Sequence, residues 1–190
     1  VDIGPAWAAL YRSIDEAYDF DHTVTNVSTV TTNTPCRIRM STLYAMAALI
    51  GGRVVNTCNW SEDFVGYSTK YGDLAGDFAV LQHYAVREVI TMGCVLAKEF
   101  GIPVELIAKT PSDGMCGKSD EDNLGFTYDT LDSMLLDDII PDYETFRNIM
   151  ERYNRNTHKT NCIKLPAPRP LIYRRHRNWG RVEEERCFEF

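Results

Sequence analysis

The sequence predicts an α/β domain with a parallel sheet flanked by helices. Three observations carry that expectation: short apolar runs alternate with segments of helical period, Pro and Gly punctuate the helix ends, and long polar loops join the elements. Residues 1–3, Val-Asp-Ile, read as the end of a strand. Pro5 then opens a helix in which Ala6, Trp7, Leu10, Tyr11, Ile14, Ala17 and Tyr18 recur at helical spacing. Residues 23–33, rich in Thr, Ser, Asn and Val, show no helical period and are expected to form a loop. The next helix is delimited by Thr34 as N-cap, Pro35 at its first position and Gly51-Gly52 at its end. Its apolar face is Met40, Leu43, Tyr44, Ala47 and Ala48. Residues 53–57 are expected to be a short buried strand. A strong helix follows over 84–100, with Val86, Val89, Ile90, Gly93, Leu96, Ala97 and Phe100 aligned, and Gly101-Ile102-Pro103 stops it. Helical period returns at 128–136 and 142–153.

Composition narrows the function classes. A chain of 190 residues, 44% apolar and 25% charged, suffices for one soluble domain with its own core. No run of about 18 apolar residues exists to span a membrane, and the N-terminus lacks the basic and apolar regions of a signal peptide. A cytoplasmic protein is expected. The net charge of −7 argues against generic nucleic-acid binding, which needs a positive surface to displace counterions. Six cysteines stand at 36, 58, 94, 116, 162 and 187, none in a CxxC pair. Structural zinc draws paired ligands from one short turn, so buried free thiols are the expectation. Arg169, Arg174, Arg175, Arg177, Arg181 and Arg186 crowd into a tail, 169–190, set apart from a domain over 1–168.

Two loops, 56–77 and 109–125, are long and dense in Gly, Asp, Ser and charge, the character of binding loops rather than connectors. The first leaves the expected strand at its carboxyl end, where open parallel sheets bind ligands. Its chemistry suits a polyphosphate. Arg37 and Lys70 offer cationic donors, Thr57 and Ser112 offer hydroxyls, and Glu62 offers the hard oxygen that Mg²⁺ prefers.

Four segments resemble the successive motifs of NAD synthetases: TPCRIRMSTLYA (34–45), NTCNWSEDFVGYSTKYGDLAGDF (56–78), KTPSDGMCGKSDEDNLGFTYDTLD (109–132) and NTHK (156–159). The resemblance covers residues 1–168 in the family's order. It implies a Rossmann-like fold of the adenine nucleotide alpha-hydrolase type. It also implies ammonia-dependent ligase chemistry, in which ATP activates the nicotinate carboxylate of deamido-NAD as an acyl-adenylate and ammonia then displaces AMP. By resemblance, Arg37, Lys70, Asp77, His158 and Lys159 hold deamido-NAD, Thr57 and Ser112 contact ATP, and Glu62 binds Mg²⁺. Asp73 anchors ammonium before attack and is the expected catalytic residue. Asp120 and Glu121 match an acidic pair of the family. A homodimer, with the deamido-NAD site between subunits, is also implied.

Three departures qualify the match. The family's SGGxDS pyrophosphate loop is not found in these 190 residues, and by family order it belongs upstream of Val1, which reads as an incomplete chain. Val80 and Val86 stand where many members carry a Pro and an ATP-reaching Lys, with Arg87 next in line to supply the charge. The tail 169–190 has no counterpart in the motif series. The competing expectation is a homologue that binds nucleotides without turning them over.

Overall fold

The computed structural model describes residues 1–18, 27–114, 117–160 and 165–166. Its sheet has three parallel strands in the order β1 (Val55–Asn56), β2 (Phe78–Ala79), β3 (Leu165–Pro166), with Val55 opposite Phe78 and Phe78 opposite Leu165. Parallel neighbours require crossovers, and the crossovers here are helical, as the alternating pattern predicted. Pro166, which donates no ladder hydrogen bond, falls in an edge strand.

Helices α1 (Gly4–Tyr18) and α2 (Val27–Ile50) precede the sheet. Residues 1–3 form no strand. Instead Asp2 Oδ1 accepts the Gly4 N–H at 2.8 Å, and a capping side chain opens α1. Helix α2 starts at Val27, so 27–33 is helix rather than loop and Pro35 lies inside it. Intrinsic preference of the Thr- and Val-rich turn is poor, but tertiary contact overrides it: the Thr69 hydroxyl meets Asn33 Oδ1 at 3.0 Å. The end of α2 follows expectation, with Gly51 at φ 66° and the Gly52 N–H returning to Ala47 O.

The two loops carry helices of their own. In 56–77, α3 (Trp60–Val65) is framed by a reciprocal capping box between Asn59 and Glu62. Gly66 closes it at φ 64°, and the Asn156 side chain lies where any Cβ on Gly66 would stand, so only glycine fits. In 109–125, α6 (Asp120–Leu124) is capped by Ser119. Between them run α4 (Val86–Phe100) and α5 (Val104–Ile107). Then come α7 (Tyr128–Asp137) and α8 (Tyr143–Thr160), the last extending past the periodic stretch 142–153.

The core is asymmetric. Val65, Leu124, Phe126, Tyr128, Leu131, Met134, Leu135 and Ile149 bury one another where α3, α6, α7 and α8 meet. On α2 and α4 the apolar faces read from the sequence are mostly exposed: Leu43, Tyr44, Ile90, Leu96 and Phe100 face solvent, and only Met40 and Ala97 are buried. Cys36 and Cys58 are buried free thiols as expected, but Cys94, on the outer side of α4, is exposed. No helix among the described residues is long and apolar enough to cross a membrane. The tail 169–190 lies outside the described residues.

Candidate active site

Asn56, at the end of β1, organises the loop that follows it. Its amide donates to Asp73 O at 2.8 Å and to Ala75 O at 3.3 Å, while its own oxygen accepts the Cys58 N–H. Fully buried Asn56 and Leu74 thereby fix the 69–75 turn against the strand end. The Thr69 N–H completes the turn by donating to both carboxylate oxygens of Asp73, at 3.1 and 3.2 Å.

A cleft of about 690 Å³ opens beside this turn. It gathers Thr57, Glu62, Asp73, Ser112 and Lys159, five of the residues singled out from the sequence, from three separate stretches of chain. Glu62 is half-buried, and Asn59 N–H donates to its Oε2 at 2.9 Å. Burial, with the charges of Asp120, Asp63 and Asp73 adding to it, pushes its carboxyl up to about 7 against the lowering effect of the Asn59 N–H. Asp120 is buried rather than solvated, its carboxyl is raised first by burial, and its Oδ1 has no hydrogen-bond partner. Glu121 has a different task, accepting the Tyr128 N–H and so fastening α6 to α7. Ser112 Oγ donates to Lys118 O and accepts from the Gly114 N–H, which holds the 112–118 loop. Lys159 Nζ donates to Gly66 O at 2.8 Å and Ser68 O at 3.0 Å, and burial lowers its pKa.

The remaining predicted residues do not line this cleft. Lys70 Nζ donates to His158 O at 2.6 Å and lies 5.3 Å from the Tyr71 ring centroid. Arg37 Nε donates to Lys70 O, and its side chain lines a shallower hollow between α1 and α2. Through these bonds α2, the 69–75 turn and the end of α8 are tied together on one side of the cleft. Asp77 has a structural contact, its Oδ2 accepting the Val54 N–H at 2.7 Å at the mouth of the sheet. His158 Nδ1 stays on its own helix, 3.0 Å from Arg155 O. Arg87, the substitute for the missing lysine, instead pairs with Asp137 at 2.7 Å on the surface.

Sequence reasoning missed three cations in the cleft: Arg39, Arg152 and Arg155. Each left a signal. Arg39 is the second arginine of RIRM, and Arg152, Arg155, Asn156 and Lys159 recur at three- and four-residue spacing on α8, which puts them on one helical face.

The sequence profile of the NAD synthase family matches residues 1–163. The chain belongs to the NAD synthase family. NH(3)-dependent NAD(+) synthetases of Thermoplasma acidophilum and Alkaliphilus oremlandii are 37% and 39% identical to it over 134 and 139 residues, 68% and 70% of this chain. Those alignments cover 54% and 52% of the relatives, so the chain spans about half the length of the curated relatives it matches. Among solved structures, an NMN synthetase from Francisella tularensis superposes with a TM-score of 0.71 at 30% identity, over 90% of this chain and 66% of that one. An NH3-dependent NAD synthetase from Campylobacter jejuni superposes at 0.56 and 26% identity, over 90% of this chain and 64% of that one. The NAD synthase fold is thus the α/β arrangement of sheet and helices described above.

Proposed function

We propose that the cleft belongs to an ammonia-dependent NAD synthetase, which amidates the nicotinate carboxylate of deamido-NAD at the expense of ATP. The observation that carries this reading is the meeting of Thr57, Glu62, Asp73, Ser112 and Lys159 in one cleft of a chain whose relatives are NH(3)-dependent NAD(+) synthetases. A carboxylate resists attack by ammonia until one of its oxygens becomes a phosphate leaving group. ATP supplies that by transferring AMP to the carboxylate with release of pyrophosphate. Ammonia then forms the amide bond and AMP departs.

In this reading the hydroxyls of Thr57 and Ser112 orient ATP, and Arg37, Lys70, His158 and Lys159 bind and enclose deamido-NAD, with Asp77 at its far edge. Asp73 holds the nitrogen donor as ammonium in the exposed turn; one proton passes to solvent to give the attacking ammonia, and a second leaves as the amide forms and AMP departs. Mg²⁺ fits the donors present. Glu62 and the unpartnered Asp120 Oδ1 are hard oxygens whose mutual repulsion a divalent cation relieves. Mg²⁺ is commonly held by one or two carboxylates plus substrate phosphates and water, and Glu62 and Asp120 line the cleft. When bound, the ion would neutralise charge at the phosphate undergoing displacement. The enzyme acts in the cytoplasm as a homodimer.

The test is an assay of the complete protein, with its pyrophosphate loop, given ATP, Mg²⁺, ammonium and either deamido-NAD or nicotinic acid mononucleotide, following AMP and the amide product. Formation of NAD and AMP in equal amounts supports the proposal. Preference for the mononucleotide would assign the substrate of an NMN synthetase, to which the fold is also similar. Tight ATP binding with no amide from either acid would favour a nucleotide-binding homologue without turnover.

A further inference from the structure

Helix α4 caps only part of its own start, where Glu88 Oε2 accepts the Ala85 N–H at 2.8 Å. Its N-cap residue, Ala85, has no side-chain acceptor, yet the first amides of a helix need partners. Two other helices supply them. Ser61 Oγ, in the first turn of α3, accepts the Val86 N–H at 3.0 Å, and Asp132 Oδ2, on α7, accepts the Arg87 N–H at 2.7 Å. The Ser61 hydroxyl in turn donates to Asp132 Oδ1 in a short hydrogen bond. Ser61 and Asp132 are both fully buried, so water cannot replace any of these bonds. A further tie, from Trp60 N–H to Tyr84 O, joins α3 to the approach of α4.

We propose that Asp132 is a positioning residue for Glu62, acting through Ser61 to lock the first turn of α3 against the start of α4. Glu62 follows Ser61 directly, and its side chain and backbone are both engaged by Asn59 across that same turn. With the turn anchored at Ser61, the Glu62 carboxylate has one place at the wall of the cleft. Asp132 touches neither the cleft nor any of the residues assigned to substrates; its effect reaches the site only through Ser61. Glu62 as a cation ligand rests on the function proposed above, whereas the anchoring rests on the hydrogen bonds alone.

Amide hydrogen exchange on the 190-residue chain tests the anchor, with Ser61→Ala, Asp132→Asn, the double variant, and Ile149→Val as a control that loosens the same core without touching these hydrogen bonds. An Asn at 132 accepts only one of the two donations that Asp132 receives. Each single variant is expected to speed exchange at the Asn59 amide about tenfold, the scale of one buried hydrogen bond lost from a local opening. The double variant should go no faster than the faster single one, because both substitutions cut the same link. Ile149→Val should leave Asn59 unchanged. Unchanged exchange in both single variants, equal acceleration in Ile149→Val, or effects that multiply in the double variant would each overturn the proposal. A parallel Mn²⁺ titration with ATP present, expected to weaken at least about threefold in Ser61→Ala for a loosened charged contact, separates the two readings. If the wild-type chain takes no Mn²⁺ with ATP present, the cation role of Glu62 fails, and the exchange data still decide the anchor.

Discussion

The helices around α7 and the helices α2 and α4 show the same amphipathic period in sequence and opposite fates in structure. Leu131 and Met134 on α7 and Ile149 on α8 are wholly buried, whereas Leu43 on α2 is 49% exposed and Phe100 on α4 is 69% exposed. Periodicity reports that a helix has an apolar face; it does not report what covers that face. The proposed cation ligand sits at the boundary between the two regions. Glu62 lies on α3, which packs into the dense side, and it lines a cleft to which α2 also contributes. A charged group held by a well-packed short helix keeps its geometry without help from the looser side.

Truncation in the two regions should therefore have different costs. Leu131→Ala is expected to lower the unfolding free energy by about 3 kcal/mol, the loss of buried methyl groups plus the cavity left behind. Leu49→Ala, on the exposed face of α2, should change it by less than about 0.5 kcal/mol. Urea denaturation of both variants measures the contrast, and equal losses would show that α2 is covered in solution. Next in size, Glu62→Gln keeps the side chain's shape and removes its charge. In the complete protein turnover should fall by about a hundredfold, as for one electrostatic contact at the reacting phosphate, while the unfolding free energy at neutral pH stays the same or rises.

A smaller effect follows from the raised Glu62 carboxyl. Between its ordinary value of 4.5 and about 7, the folded chain holds this proton more firmly than the unfolded chain does. Its contribution to stability is full at low pH and is lost as pH rises through that window. Cation binding runs the other way and should strengthen as pH rises past 7, because the carboxylate is the ligand. Comparing thermal unfolding of wild type and Glu62→Gln at pH 5 and pH 8 isolates the difference; identical pH slopes would remove Glu62 from the titrating groups.

How much of this was legible in the sequence differs from element to element. The end of α2 at Gly51-Gly52, the stop of α4 at Gly101 and the helical stretches of α7 and α8 were readable because each rests on local chemistry. The start of α2 was not. Its opening stretch 27–33 is tied to the rest of the fold by the contact between Asn33 and Thr69, 36 positions apart, and Pro35 signals a helix start while occupying a helix interior. In the cleft, Thr57, Glu62, Asp73, Ser112 and Lys159 were reached through motif resemblance, and physical patterning alone would have left each a surface residue. Arg152 and Arg155 were overlooked because α8 was read for its apolar face and not for the polar one. Asp132 and Ser61 gave no signal at all: a buried pair from two helices becomes visible only when both helices are in place.

The most direct test of the account is steady-state kinetics of Lys70→Ala beside Ser112→Ala. Lys70 is bonded to the end of α8 on one side of the cleft, and Ser112 sits in the separate 112–118 loop. A charged contact made in both ground and transition states acts as uniform binding, so its loss raises KM more than it lowers kcat. Lys70→Ala should raise the KM for deamido-NAD about tenfold, near 1.4 kcal/mol, and leave that for ATP unchanged. Ser112→Ala should raise the KM for ATP by a smaller factor, since a neutral hydrogen bond contributes less than a charged one. A Lys70→Ala enzyme whose KM rises for ATP alone would contradict the assignment of Lys70 to deamido-NAD.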